Sequence, residues 1–466
     1  MGKLIDLRVE DVDALYVSEK KIHPREIDGR FQRLRNLAAF VLLGLFYVAP
    51  WLSWDGRQAV LFDLPARKFY ILGLSFWPQD FVFLALLLVI AGVSLFFFTA
   101  LAGRLWCGYA CPQTVWTEVF VAIERWTEGD RGARMKLDAA PWSWNKLRRR
   151  GARHAAWIVL ALWTGFTFVG FFTPIRELAL RAWPFAGSHF AWSGWETFWV
   201  LFYALATWGN AGILREQVCK YMCPYARFQS AMFDADTLVI AYDEERGDPR
   251  GARKRGVEHT QLGLGDCIDC TICVQVCPTG IDIRNGLQYE CIACGACIDA
   301  CDSVMDKMGY PRGLVRYTSA NAAAGRPARV LRPRVLVYAA LLAVLVLGTG
   351  AAIALRQPLL VDVMRDRALG RVAADGAIEN TYTLRIINKD NQAHTYALRL
   401  ESATALALAG PAPVLRAAPE EVLTVPVTVR ARGALPGSTD LRFVVEDAGA
   451  GLRADAEARF LAPVAR

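Results

Sequence analysis

The chemistry-bearing residues of this sequence are its twelve cysteines. One run, C-I-D-C-T-I-C-V-Q-V-C-P, supplies Cys267, Cys270, Cys273 and Cys277. A second, C-I-A-C-G-A-C-I-D-A-C-D, supplies Cys291, Cys294, Cys297 and Cys301. Both have the C-x2-C-x2-C-x3-C spacing that holds four-iron, four-sulfur clusters in bacterial ferredoxins. Short spacers let three thiolates cap one cube, and the fourth, beyond a turn, reaches the other. The spacing therefore predicts one cluster on Cys267, Cys270, Cys273 and Cys301, and another on Cys291, Cys294, Cys297 and Cys277. A pair of zinc sites would use similar C-x2-C pairs, but two complete four-cysteine runs favour iron. The second run ends in Asp302 where a proline is usual, which alters the turn after Cys301 and not the ligand set.

The other four cysteines form two copies of C-x3-C-P: L-W-C-G-Y-A-C-P holds Cys107 and Cys111, and Q-V-C-K-Y-M-C-P holds Cys219 and Cys223. Each proline disfavours a helical residue before it and favours a helix start after it. Cys111 and Cys223 are thus predicted at helix N-termini, where a thiol pKa falls and thiolate is favoured. Four converging thiolates would suit a soft metal, of which Cu(I) is the softest common candidate. They would equally hold a further iron–sulfur cluster, or stand as buried cysteines without a ligand. No cysteine lies in the segments read as outer loops or in the C-terminal region, which is the opposite of a disulfide framework.

The elements that must position these thiols are membrane helices. Apolar residues make up 54% of the chain and charged residues 21%, with 15 Trp and 24 Phe, so a membrane protein is expected. Five apolar stretches approach the ~20 residues needed to cross a bilayer. They run from Leu37 to Trp54, Phe81 to Leu101, Ala155 to Thr173, Glu196 to Leu214 and Val335 to Leu355. The first contains Pro50, and the fourth is amphiphilic, with Thr207 and Asn210. Each C-x3-C-P motif follows two of these helices, so a duplicated hairpin is expected, with its two cysteine turns close together. The net charge of +8 reflects Lys and Arg clustered beside apolar runs, the pattern of cytoplasmic loops and not of a nucleic-acid surface. Arg104 to Arg153 and Arg326 to Arg334 are rich in such residues, which places the N-terminus and all cysteines inside and the C-terminus outside. The first 36 residues are polar and lack the apolar core of a cleavable signal, so the tail is expected to remain cytoplasmic.

The resulting order is a tail over 1–36, a four-helix membrane domain with two C-x3-C-P turns over 37–232, and a linker over 233–258. A two-cluster ferredoxin-like α+β domain follows over 259–312, then a basic linker over 313–334 and the fifth helix over 335–355. Over 375–466 the alternation in T-Y-T-L-R-I-I-N-K and L-T-V-P-V-T-V-R predicts an immunoglobulin-like, all-β sandwich of docking type, with nothing catalytic in it. Residues Val239 to Gly256 read as a solvated linker with lipid-facing arginines or as a segment packed on the clusters. Haem would need axial ligands, and His23, His154, His189, His259 and His394 include none in mid-span and no two on one helix face. No G-x-G-x-x-G opens a helix after a strand, so nicotinamide and flavin lack support.

These residues carry a resemblance. I-H-P-R-E-I-D-G-R-F-Q-R-L-R, W-C-G-Y-A-C-P-Q-T-V-W-T-E, Y-D-E-E-R-G-D-P-R-G and the second cysteine run together resemble the cytochrome c oxidase accessory protein family of the CcoG, FixG and RdxA type, over nearly the whole chain. The resemblance implies a polyferredoxin of the bacterial inner membrane that reduces Cu(II) to Cu(I) for assembly of cbb3-type oxidases, with its C-terminal domain periplasmic. It implies copper chaperones and oxidase assembly factors as partners, an electron donor not yet identified, and a homodimer. It maps the family's C-x3-C-P motifs onto Cys107, Cys111, Cys219 and Cys223. Two rival functions stand beside it: a quinol-oxidising membrane ferredoxin that serves another redox partner, and a non-catalytic assembly scaffold.

Overall fold

A computed structural model of the chain describes residues 21–182, 192–256, 262–366, 370–410, 414–431, 437–447 and 449–462. His189, His259 and the first twenty residues of the basic tail lie outside them. Among the described residues, five helices are long and apolar enough to cross a membrane, and the chain divides into two compact units.

The first unit comprises Met1–Leu52 and Leu88–Ala343. Its first helix, Arg30–Val48, begins seven residues before the apolar stretch read from the sequence. Asp299 explains the early start. Its carboxylate accepts the backbone N–H groups of Phe31 and Gln32, at 3.2 and 2.8 Å, and so caps the helix from the cysteine-rich domain. The helix ends at a short 3-10 turn, Ala49–Trp51, that contains Pro50. Trp144–Val169 likewise starts well before its apolar stretch, where the Ser143 hydroxyl caps it by accepting from the Lys146 N–H. It packs closely on Gly194–Thr207, and a Cβ at Gly165 would stand 2.3 Å from the Val200 carbonyl oxygen, so only glycine fits that crossing. The second of these helices continues as a π-helical turn, Trp208–Leu214. Phe120, Trp157, Ala161, Ala204 and Ala211 form the core between them and the helix Pro112–Glu128.

The cysteine-rich part of this unit is larger than the segment 259–312. Val239–Tyr242, within the stretch read as a linker, is a strand paired antiparallel with Val315–Thr318. Ile240, Tyr242, Leu314 and Val315 pack in one buried cluster with Cys267, Cys273, Cys297, Ile298 and Met305. The separate-linker reading is therefore corrected: two strands flank the cysteine runs and close their core.

The second unit comprises Ser53–Leu87 and Val344–Arg466. One sheet orders Leu406–Leu408, Val422–Ala431, Ile378–Asn388 and Leu359–Arg365; the other orders Val414–Ala417, His394–Ser402, Ser438–Asp447 and Leu452–Leu461. Alternate residues such as Tyr382, Leu384, Ile386, Leu398, Phe443 and Val445 fill the space between them. The sandwich thus begins at Leu359, before the Asp375 boundary expected from alternation. The loop between the first two membrane-length helices is also structured. Val60–Asp63, Lys68–Ile71 and Leu74–Phe76 form a three-stranded sheet. Two carboxylates fasten it: Glu420 accepts from Arg57 and Ser75, and Asp80 pairs with Lys389 at 2.8 Å and Arg356 at 3.3 Å.

His394 lies buried between Asp447 and Asp390, at 2.8 and 3.0 Å. Burial disfavours the charged ring, but the two carboxylates outweigh it and hold the pKa above the usual histidine value. The stability it contributes is full below about pH 6.5, the unfolded value, and is lost as pH rises through the raised native value. Amide exchange in His394–Ser402 and Val414–Ala417, corrected for intrinsic rates, is expected to be faster at about pH 8.5 than at about pH 5.5. A His394→Gln protein should lose that pH dependence.

Candidate metal and electron-transfer site

The eight cysteines of the two runs divide across the runs. Cys301 lies within electrostatic reach of Cys273, Cys267 and Cys270. Cys297 and Cys291 instead feel Cys277 together with Cys294. Two small cavities follow the same division. One is walled by Cys267, Cys270, Cys273 and Cys301, the other by Cys277, Cys291, Cys294 and Cys297, and Cys273 borders both. Each cradle offers four thiols around an apolar volume, the donor set and shape that a four-iron cube requires.

Burial dominates these thiols. It pushes Cys273, Cys291 and Cys301 up to about 12, and raises Cys294 and Cys297 as well. Bare thiolates are costly there, so metal loading and deprotonation must occur together. Cations lie at hand: Arg284 acts on Cys273, Arg104 on Cys291 and Arg35 on Cys294.

The division gives a direct test. Cys301→Ser and Cys267→Ser are expected to leave the same residual EPR signal in the reduced protein, and Cys291→Ser a different one. A Cys301→Ser spectrum matching that of Cys291→Ser would contradict the grouping.

The C-x3-C-P cysteines converge from two distant stretches. Cys107 sits in the short helix Leu105–Tyr109, and Cys111 stands at the N-cap of Pro112–Glu128. Cys219 sits in the π-helical turn Val218–Met222, and Cys223 stands at the N-cap of Pro224–Ala231. Cys219 lies within electrostatic reach of Cys111, Cys107 and Cys223. Only Cys111 and Cys223 stand at helix N-termini. The first cysteine of each turn is governed by burial, which pushes Cys107 up to about 11 and Cys219 to about 12, with Arg104 opposing. Burial thus favours the protonated form of those two thiols at neutral pH until a metal displaces the proton. Among the described residues, no group of three or more His, Cys, Asp or Glu side chains closes on a single-ion site.

The first turn abuts the second run. A Cβ at Gly108 would lie 2.7 Å from the Ile292 carbonyl oxygen and 2.9 Å from Cys294 Cα, so the chain beside Cys107 touches the chain between Cys291 and Cys294. Arg104 spans the same junction. It donates to the Tyr289 and Cys291 carbonyl oxygens and to Gln229 Oε1, which also accepts from Cys107 Sγ at 3.3 Å. Sequence reading missed Arg104 and Gln229. The signal for Arg104 was its place three residues before Cys107; Gln229 had none. Of the described histidines, His23 contacts Asp138, His154 packs edge-on against Trp157, and His394 is held by its two aspartates.

Comparison with known proteins now decides the family. Residues 214–320 match the profile of a 4Fe-4S dicluster domain, 81–127 that of a 4Fe-4S binding domain, and 349–463 that of the immunoglobulin-like fold at the C-terminus of FixG. The chain is 41% identical to the protein RdxB of Cereibacter sphaeroides over 94% of its own length and 96% of that protein's. It is 40% identical to the nitrogen fixation protein FixG of Rhizobium meliloti, over 83% of its own length and 80% of that protein's. The chain belongs to the FixG/RdxA family. A solved FixG-related protein from Vibrio parahaemolyticus is 28% identical over 23% of this chain and all of that one, with a TM-score of 0.22. As a member of the FixG/RdxA family, the chain is an iron–sulfur electron-transfer protein with apolar helices of membrane length and a C-terminal β-region. The 81–127 match includes Cys107 and Cys111, which brings the first C-x3-C-P turn into the iron–sulfur part of the protein.

Proposed function

We propose that this FixG/RdxA relative is a membrane-bound cupric reductase that supplies Cu(I) for the copper site of a cbb3-type cytochrome c oxidase. The observation that carries the reading is the contact of the Cys107 turn with the Cys291–Cys294 backbone at Gly108, which sets a soft-metal donor set against an electron-transfer site. Cys267, Cys270, Cys273 and Cys301 would hold one cluster, and Cys277, Cys291, Cys294 and Cys297 the other. When bound, the clusters supply one-electron transfer.

The chain's own residues do the rest. Cys107, Cys111, Cys219 and Cys223 take the copper substrate and favour Cu(I), because thiolates are soft donors. Cys107 and Cys219 release their protons as the metal binds. Arg104 offsets the negative charge gathered at Cys107, Cys219 and Cys291. Gln229 and Arg104 fix the distance between the turn and the second run. The same donor set accommodates a further iron–sulfur cluster, and the profile match over Cys107 and Cys111 supports that variant of the site.

In this proposal five helices span the bacterial inner membrane, two of the hairpins are duplicates, and the cysteines face the cytoplasm. The sandwich is periplasmic, copper chaperones and assembly factors are partners, and the chain is a homodimer. A deletion strain grown at limiting copper tests the role. Oxidase activity should be restored by the wild-type chain and not by a chain with all four C-x3-C-P cysteines changed to alanine. Equal restoration by both would leave the scaffold reading in its place.

A further inference from the structure

Between the helices Arg30–Val48 and Pro112–Glu128 runs an open groove of about 860 Å3. Phe40, Leu43, Tyr47, Val119 and Ala122 line most of its length, and Phe40 is 78% exposed. The first of the two helices is apolar and of membrane length, so in the proposed five-span topology this wall faces lipid tails.

At one end the lining becomes polar. The Gln32 amide donates to Asn36 Oδ1 and Glu118 Oε1, both at 2.9 Å, and Arg35 Nη2 donates to Glu118 Oε2 at 2.8 Å. Gln32, Glu118 and Arg125 also wall a second, more enclosed cavity of about 60 Å3. That cavity reaches Cys219, and it reaches Ile292 and Ala296 within the second cysteine run. A polar partition therefore separates an apolar groove from space that borders both redox sites.

We propose that the groove binds a lipid-soluble quinol, with its isoprenoid tail along Phe40–Tyr47 and its dihydroxy ring against Gln32 and Glu118. The charges at the polar end favour this occupant over a phospholipid. Glu26 and Glu118 are matched by two guanidiniums, Arg125 and Arg35, so no surplus positive charge awaits a phosphate. A quinol is neutral, and its hydroxyls are donors that the Glu118 carboxylate can accept. Oxidation of one quinol gives one quinone, two protons and two electrons. Glu118 takes the first proton and bulk solvent at the open groove the second. The electrons leave singly towards the two four-cysteine sites, and two Cu(II) becoming two Cu(I) close the balance. Only this last step rests on the copper reading.

Gly44 gives the means of testing it. It lines the groove, and a Cβ there would meet nothing within 4 Å, so a large side chain fills the groove without disturbing the helix. The full-length, metal-loaded protein in nanodiscs is labelled with a photoreactive azidoquinone and its peptides are mapped by mass spectrometry. Label is expected on peptides covering Phe40–Tyr47 and Val119–Trp126, displaced by unlabelled quinone. Gly44→Phe, with unchanged iron content, should reduce it by about tenfold, equivalent to ~1.4 kcal/mol of binding. Label elsewhere, label insensitive to Gly44→Phe, or label displaced by phospholipid and not by quinone would overturn the proposal. Dithionite-reduced wild-type protein given Cu(II) separates the two readings. If it yields no Cu(I), the copper reading fails while specific labelling still establishes the quinol site.

Discussion

Changing Cys107, Cys111, Cys219 and Cys223 together to alanine is expected to abolish copper reduction while leaving the eight cysteines of the two runs loaded with iron. The loss should exceed the 10–100-fold that accompanies removal of groups that merely orient metal ligands, since the ligands themselves are gone. The two effects separate because the cradles are walled by different residues. Neither cluster cavity includes a C-x3-C-P cysteine, and the domain core around Ile240, Tyr242, Met305 and Val315 is closed without them. The iron-to-protein ratio and the visible spectrum report the runs, and Cu(I) trapped by a chelator reports the turns. If iron falls along with copper reduction, by about one third, the four thiols hold a further four-iron cluster. If neither changes, these turns have no redox role.

Glu124→Ala is expected to cost about 3–5 kcal/mol, the penalty for removing one partner from a buried ion pair. Glu124 is fully buried and accepts from Arg134 at 3.0 Å, Arg215 at 2.8 Å and Arg153 at 3.3 Å. Arg215, Lys21 and Arg134 outweigh the desolvation that would otherwise raise its pKa, and hold it below the usual glutamate value. Without the carboxylate, Arg134 and Arg215 remain buried with no ion-pair partner among the described residues. Arg153 keeps Glu128 at 2.9 Å.

The consequence reaches the cysteine turns through Arg215. Its backbone has φ of 44°, a strained left-handed value for a non-glycine residue, so its side-chain anchors must hold it there. Its carbonyl oxygen and that of Asn210 accept from the Gln113 amide, two residues after Cys111. Glu124 thereby ties the turn of Cys219 to the turn of Cys111. A marked drop in the melting temperature in detergent, with weakened copper reduction in whatever protein folds, is the expected result. Glu124→Gln, which keeps hydrogen-bond acceptance but not charge, should fall between. An Ala variant that melts with the wild type would show that the cluster of charges carries no net stability.

The cysteine runs were legible because metal ligation is written in spacings of two and three residues, and cysteine has few other uses at such density. Even the crossing of Cys277 and Cys301 between sets follows from chain reach, and the structure brings Cys301 beside Cys267 and Cys277 beside Cys291. The apolar helices were legible by length, but their starts were not. Arg30 and Trp144 begin helices in charged sequence because caps far from the apolar stretch, Asp299 and Ser143, satisfy their first N–H groups.

What the sequence hid depends on partners remote along the chain. The strands over 60–76 are three or four residues each and too short for alternation to register. They are held by Glu420, Asp80 and Lys389, whose pairings span more than three hundred residues. The strand Val239–Tyr242 was masked by the charged residues after it, and its pairing with Val315–Thr318 is equally non-local. Burial, which sets the Cys107 and Cys219 pKa values, is likewise a property of the fold and not of the motif.

Whether electrons reach copper through this chain is read by one anaerobic titration. The purified protein is reduced until its iron–sulfur absorbance bleaches, excess reductant is removed, and Cu(II) is added in small steps beside a Cu(I)-specific chelator. Absorbance is expected to return in step with chelated Cu(I), one copper for each electron withdrawn. Absorbance that stays bleached while Cu(II) remains in solution would contradict it.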